Sequence, residues 1–281
     1  MNGTTSQLLS LITHGNYFLS KGEVAPGYYP NNITFQFCNT IEFLHLATDP
    51  DGTAREQMIA ADPIAWFNVL KGDGCYQLKA YYHPSEEGPD RTPDHKMAGF
   101  VGGGGTWLME AIYPSYSDFW APRWVVARQD DPERKIWSVS YGRTVGQTDT
   151  IDFCPDTMQI RETFKDILID IEAFAREHEL NNWADIFKGA LNVLNGAAPS
   201  NNWYSEQINE NGYDRPALQL LYAAMSAHVF GGMGSWNDLG FEKEEDAQRY
   251  EDLSFYLYDQ INRALLSSIN SVNGQWSLAR P

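Results

Sequence analysis

The spacing of apolar residues changes character twice along the chain. Ile33, Phe37, Ile41 and Leu44 recur at helical intervals after the turn-forming Pro30-Asn31-Asn32, which predicts a helix over 31–47. A shorter helix is expected from Asp62-Pro63, with Asp as N-cap, Pro in the first position, and Trp66 and Leu70 on one face. The period then falls to two. Residues 75–82, 106–113, 123–129 and 135–142 are rich in aromatic and β-branched side chains and bounded by Gly, Pro or Asp clusters, so each reads as a strand, with Met97–Val101 as a further short one. Residues 83–95 (HPSEEGPDRTPDH) read as an exposed loop. From Asp156 the pattern is helical again. A capping box at Asp156/Gln159 leads into a stripe of Ile160, Phe164, Ile167, Leu168, Ile171 and Phe174. Three more helices follow, one through Trp183–Leu194 with Gly196 as its stop, one after Asp214, and a long one over about 244–272.

Sequential strands with short connections favour an antiparallel sheet with helices on one face, and helices with short links make a bundle. The expected fold is therefore α+β: an antiparallel sheet with flanking helices over 1–152, then a helical domain over 153–281.

Charge narrows the choice of partners. The 281 residues hold 37 acidic against 20 basic side chains, a formal net charge of -17, and the excess is spread over both halves. Such a field disfavours phosphate backbones and anionic lipid headgroups and attracts a basic macromolecule, so neither direct nucleic-acid nor membrane binding is expected. Cys38, Cys75 and Cys154 are too widely spaced for a disulfide framework or a metal knuckle and read as buried thiols in a reducing compartment. The N-terminal segment lacks a basic n-region, and the expected location is cytoplasmic.

Motifs for chemistry are sparse. The six histidines form no HxH, HExxH or HxxxH pattern, there is no GxSxG elbow, and neither a cofactor nor a metal is expected. Gly102–Gly105 is followed by a strand pattern rather than a helix and lacks the lysine of a phosphate loop, so it reads as a turn or bulge. In the segment Gly231-Gly232-Met233-Gly234-Ser235-Trp236-Asn237-Asp238, Trp236 either anchors a recognition loop or tucks under the bundle, and the second reading is favoured. Trp120 and Trp124 flank Pro122; either one belongs to the core and the other to a contact surface, or both cover the sheet. The run Glu242-Lys243-Glu244-Glu245-Asp246 suits the first turn of a helix and also presents a patch of carboxylates beside Trp236. For a partner surface the candidate contacts are Asp118, Trp120, Trp236, Asp238, Glu244, Glu245 and Asp246.

The segments GFVGGGGTW (99–107), FWAPRW (119–124) and KIWSVSY (135–141) resemble bacterial immunity proteins of polymorphic toxin systems, in particular the group encoded beside toxins with a restriction-endonuclease-like nuclease domain, type VI secretion effectors included. The resemblance covers mainly residues 60–145 and implies a non-enzymatic inhibitor that grips a basic toxin in the cytoplasm; a homodimer is compatible with it. The competing expectation is an enzyme or small-ligand protein whose pocket lies between sheet and bundle, with His95, Tyr141 and the glycine-rich loop converging there.

Overall fold

The computed structural model describes residues 1–48, 51–52, 54–86, 91–151, 156–199 and 206–272. It contains a six-stranded sheet and, among the described residues, seven α-helices. The chain opens with α1 (Gly3–Lys21), a short 3-10 turn (Ile33–Phe35), β1 (Cys38–Thr48) and β2 (Ala54–Ala60). After α2 (Pro63–Gly72) come β3 (Gln77–His83), the single-turn α3 (Asp94–Met97), β4 (Thr106–Ile112), β5 (Ser117–Val126) and β6 (Trp137–Thr148). The C-terminal region is helical: α4 (Thr157–Glu177), α5 (Asn181–Leu194), α6 (Arg215–Ser226) and α7 (Glu244–Asn270).

The strands lie in the order β2-β1-β6-β5-β4-β3. β3 to β6 form the expected antiparallel meander, but β1 runs parallel to β6, so the sheet is mixed. The helix expected over 31–47 is instead the 3-10 turn followed by β1. Its apolar spacing is a coincidence of two environments: Phe37 is 46% exposed, whereas Ile41 and Phe43 alternate into the core as a strand requires. A register shift between Phe43 and Leu44 then buries two consecutive side chains and hides the period of two. Residues 97–101 are not a strand either, because α3 ends at Met97 and the chain turns through Phe100 and Gly103. α3 also takes Asp94 and His95 out of the exposed loop expected over 83–95, with His95 buried.

The aspartates read as caps from the sequence, Asp62 and Asp156, accept backbone N–H bonds at the starts of α2 and α4, and Asp214 does the same at the start of α6. α4, α5, α6 and α7 pack in a ring, each against two neighbours. Two of the links are long rather than short. The link between α5 and α6 sends its residues 206–211 back onto α1, and the one between α6 and α7 carries the glycine-rich segment 231–234.

Sheet and bundle share one buried cluster, with α1 at its centre. Residues 7–16 of α1 are buried all round, polar ones included. Gln7 accepts from the Tyr141 hydroxyl at 2.8 Å and donates to the Thr34 carbonyl at 3.2 Å. Thr13 accepts from the Asn209 N–H at 3.2 Å. On the helix-covered face of the sheet, Trp66 of α2 stacks on Phe43 at 4.2 Å and meets Trp120 edge-on at 5.5 Å. The opposite face carries exposed Leu46, Met58 and Val125 beside a bidentate Arg123–Glu56 pair.

The free edge of β3 is closed by two asparagines. Asn16 of α1 donates to the Leu78 carbonyl at 2.9 Å and accepts from the Leu78 N–H at 2.7 Å. Asn270 of α7 does the same for Ala80, at 2.9 and 2.8 Å. Each amide substitutes for a missing neighbouring strand and shields the edge from another chain.

Cys75 is buried, with its thiol pushed up to about 12 chiefly by desolvation; Cys38 is only partly buried, and Cys154 lies outside the described residues. The boundary expected near 150–156 includes residues 152–155, which also lie outside them. No helix of the described residues is long and apolar enough to cross a membrane.

Candidate partner-binding surface

The structure divides the candidate contacts into core and surface. Trp236 is fully buried, not an exposed anchor. Its indole N–H donates to the Ser254 hydroxyl at 2.8 Å, its carbonyl accepts from Tyr250, and Phe187 and Trp183 meet it edge-on. Trp120 is likewise buried, between Phe43 and Trp66. Asp118 is 3% exposed and fixes the β5–β6 end by accepting from the Gln147 N–H at 2.8 Å and from Arg143 at 3.3 Å. These three residues are corrected from contacts to structure. The reason is physical: each has its polar atoms or ring faces satisfied inside the chain, or is sealed under helices.

The other four lie at or near the surface. Asp238 is exposed and accepts from the Gly234 N–H, closing its own loop. Glu244 and Glu245 stand exposed in the first turn of α7, where the helix dipole favours them. Asp246 is mostly covered, 3.7 Å from the His178 ring and 3.9 Å from the Lys243 ammonium.

A surface that the spacing of residues did not reveal lies at the opposite end of β5. Two clefts of about 350 and 370 Å³ flank Trp124. One is walled by Phe100, Val101, Trp137 and Phe230, the other by Val101, Trp107, Pro122 and Arg123. Their walls come from 99–107, 119–124 and 135–141, three segments far apart in sequence, together with Gly231 and Gly232. Trp137 meets Trp124 edge-on at 5.9 Å, and the start of α1 lies under Trp124.

Glycine is needed at this corner for close approach. A Cβ on Gly99 would overlap the backbone of Gly231, so the two glycine-rich segments touch directly. Gly104 holds a φ of 86° and its carbonyl accepts from the Tyr258 hydroxyl at 2.6 Å and the Tyr82 hydroxyl at 3.3 Å, which pins the loop to α7 and β3. The loop is therefore held from behind while its tip faces out: Phe100 is 63% and Val101 62% exposed, and Met233, two residues after Gly231, is fully exposed.

α7 links this apolar corner to the acidic turn. Glu251 sits 2.6 Å from the Lys96 ammonium and 3.5 Å from the His95 ring, just before the 98–103 loop. Burial lowers the His95 pKa below its usual value, against the opposing pull of Glu251. Glu244 lies seven residues, about 10 Å, up the same helix.

Tyr141, expected with His95 in a pocket, is buried under the sheet and donates its hydroxyl to Gln7, whereas His95 packs between Glu251 and Phe230. Among the described residues, no three His, Cys, Asp or Glu side chains gather as a metal-holding group. No family model, curated protein or solved structure matches the chain.

Proposed function

We propose that the protein is an immunity protein, which binds a basic nuclease toxin in the cytoplasm and neutralises it stoichiometrically. The observation that carries this reading is the convergence of 99–107, 119–124 and 135–141, with Gly231 and Gly232, on the paired clefts around Trp124. The first three of these segments are the ones that resemble the immunity group. The 99–107 loop, braced at Gly104 by Tyr82 and Tyr258, presents Phe100 and Val101 as exposed apolar side chains, and Met233 is exposed on the separate segment that touches the loop at Gly231. An aromatic cleft with a rigid apolar rim is the composition of an interface hot spot. The net charge of -17 supplies the attraction that speeds encounter with a cationic partner.

Co-expression with the product of the adjacent gene tests the reading. A stoichiometric complex that suppresses nuclease activity supports it; free proteins and undiminished activity reject it. Within such a complex, Phe100→Asp and Met233→Asp should each weaken binding by about thirtyfold or more, the scale of a hot-spot loss. Thermal melts should stay unchanged, because both side chains face solvent. A fall in affinity accompanied by a fall in melting temperature would mean a folding defect instead.

Charge should act on rate. Glu244→Lys with Glu245→Lys is expected to slow association and flatten its salt dependence while leaving dissociation nearly unchanged. Stopped-flow association at two ionic strengths reads this directly, and an unchanged on-rate removes the α7 turn from the encounter surface. Asp246 is left out because it is already engaged with His178 and Lys243.

A further inference from the structure

The two clefts beside Trp124 are built alike. Rings wall both: Phe100, Trp137 and Phe230 in the first, Trp107 and Pro122 in the second, with Trp124 and Val101 shared between them as a ridge. Low walls of glycine backbone, from Gly99, Gly231 and Gly232 in one and Gly102 and Gly103 in the other, let the main chain of a ligand come close. Tyr82 and Tyr258 hold the intervening loop at Gly104, so little of the site has to be ordered when a ligand arrives.

The acidity of the chain stops at this corner. It has 37 acidic residues, yet among the described residues no Asp or Glu lines either cleft, and Arg123 is the one charged side chain that does. Glu56 neutralises it through the bidentate pair at 2.6 and 2.9 Å. A cationic segment would find no carboxylate in the clefts, and an anionic one would meet the repulsive field of the whole chain. The complementary segment is therefore uncharged. Its polar groups must be acceptors, because those of the clefts can donate. Arg123 uses three of its five N–H groups on Ser140 and Glu56 and keeps two. The hydroxyls of Thr4 and Thr106 bond to no described residue. A polyproline II chain fits these terms: proline has no N–H, the helix has no internal hydrogen bonds, and every carbonyl is an open acceptor. Such chains dock in grooves lined by aromatic rings.

Building on the reading of this corner as the partner surface, we propose that the paired clefts take a proline-rich segment of the partner in the polyproline II conformation. Its proline rings would pack on either side of Trp124, and its carbonyls would accept from Thr4, Thr106 and Arg123. The acidic turn of α7 then steers the basic remainder of the partner, while the clefts hold an uncharged stretch of it.

Calorimetric titration of the full chain tests it, with blocked peptides of equal length as probes: decaproline, an uncharged alanine–glutamine sequence and a helical leucine–lysine sequence. Decaproline should bind with a Kd below about 1 mM and the alanine–glutamine peptide should not. Val101→Asp, which places a carboxylate on the ridge between the clefts, should weaken decaproline binding at least about tenfold. Val101 is exposed, so the thermal melt should stay unchanged, and Phe100→Asp repeats the test at the first cleft alone. No binding of decaproline, or binding that ignores both substitutions, overturns the proposal. So does tighter binding of the leucine–lysine peptide that Val101→Asp abolishes, which would make the occupant a basic helix. Decaproline is titrated without any toxin, so its failure to bind leaves a co-expressed toxin complex standing, and the absence of that complex leaves decaproline binding intact.

Discussion

Truncating Trp236 to alanine should lower the folding free energy by about 3–5 kcal/mol, the range for emptying a large buried aromatic site. The residue is fully buried, and three other rings meet it at 5–6 Å: Trp183, Phe187 and Tyr250, the last packed in turn on Phe241. Its removal also strands the Ser254 hydroxyl, itself buried on α7. Urea unfolding checks this through the midpoint. Trp236→Phe should recover most of the loss, since it refills the cavity and leaves only one hydrogen bond unmade. An alanine variant as stable as the native chain would return Trp236 to the surface as a binding anchor.

Asn16→Ala should cost about 2–5 kcal/mol, because it leaves both the N–H and the C=O of Leu78 unpaired in a buried setting. Hydrogen exchange separates this from general destabilisation: the Leu78 amide should lose protection out of proportion to its neighbours on β4. Asn16→Asp is the sharper variant. It keeps an acceptor for the Leu78 N–H but sets a carboxylate oxygen against the Leu78 carbonyl, so it should be no better than alanine. If both variants are silent, the edge of β3 is held by apolar packing alone. Asn270→Ala should have a smaller effect, since that side chain is only partly buried.

The parts of the fold legible in the sequence were those governed by local rules. β4 and β6, the caps at Asp62 and Asp156 and the four C-terminal helices follow from alternation, capping chemistry and helical stripes. α1 has no stripe to read. It is enclosed on every side, and polar residues interrupt its apolar run; the partners of Gln7, Thr13 and Asn16 lie between about thirty and two hundred residues away. No local pattern encodes such a pairing. β1 was obscured by its bulge, and its parallel alignment with β6 depends on contacts that spacing does not record.

The same limit governed the surface. Trp120 and Trp236 stand beside turns, where an aromatic ring serves a core or an interface equally well, and only the packing of Trp66 and Phe187 decides. Phe100 and Val101 read as the end of a short strand. They matter because Gly99 meets Gly231 and pushes the loop tip outward, a contact between segments more than a hundred residues apart. Glu244 and Glu245 were legible because a helix's first turn exposes its carboxylates by simple geometry.

The parallel alignment of β1 with β6 also orders events during synthesis. Cys38 finds its place opposite Trp137, about a hundred residues later, so the β1–β2 hairpin leaves the ribosome long before the strand that completes it. In that interval β1 offers an open ladder of N–H and C=O groups to any extended chain nearby. A nascent chain stalled ahead of β6 would therefore be prone to wrong pairing, and passing Trp137–Thr148 is the step that commits the sheet to one arrangement.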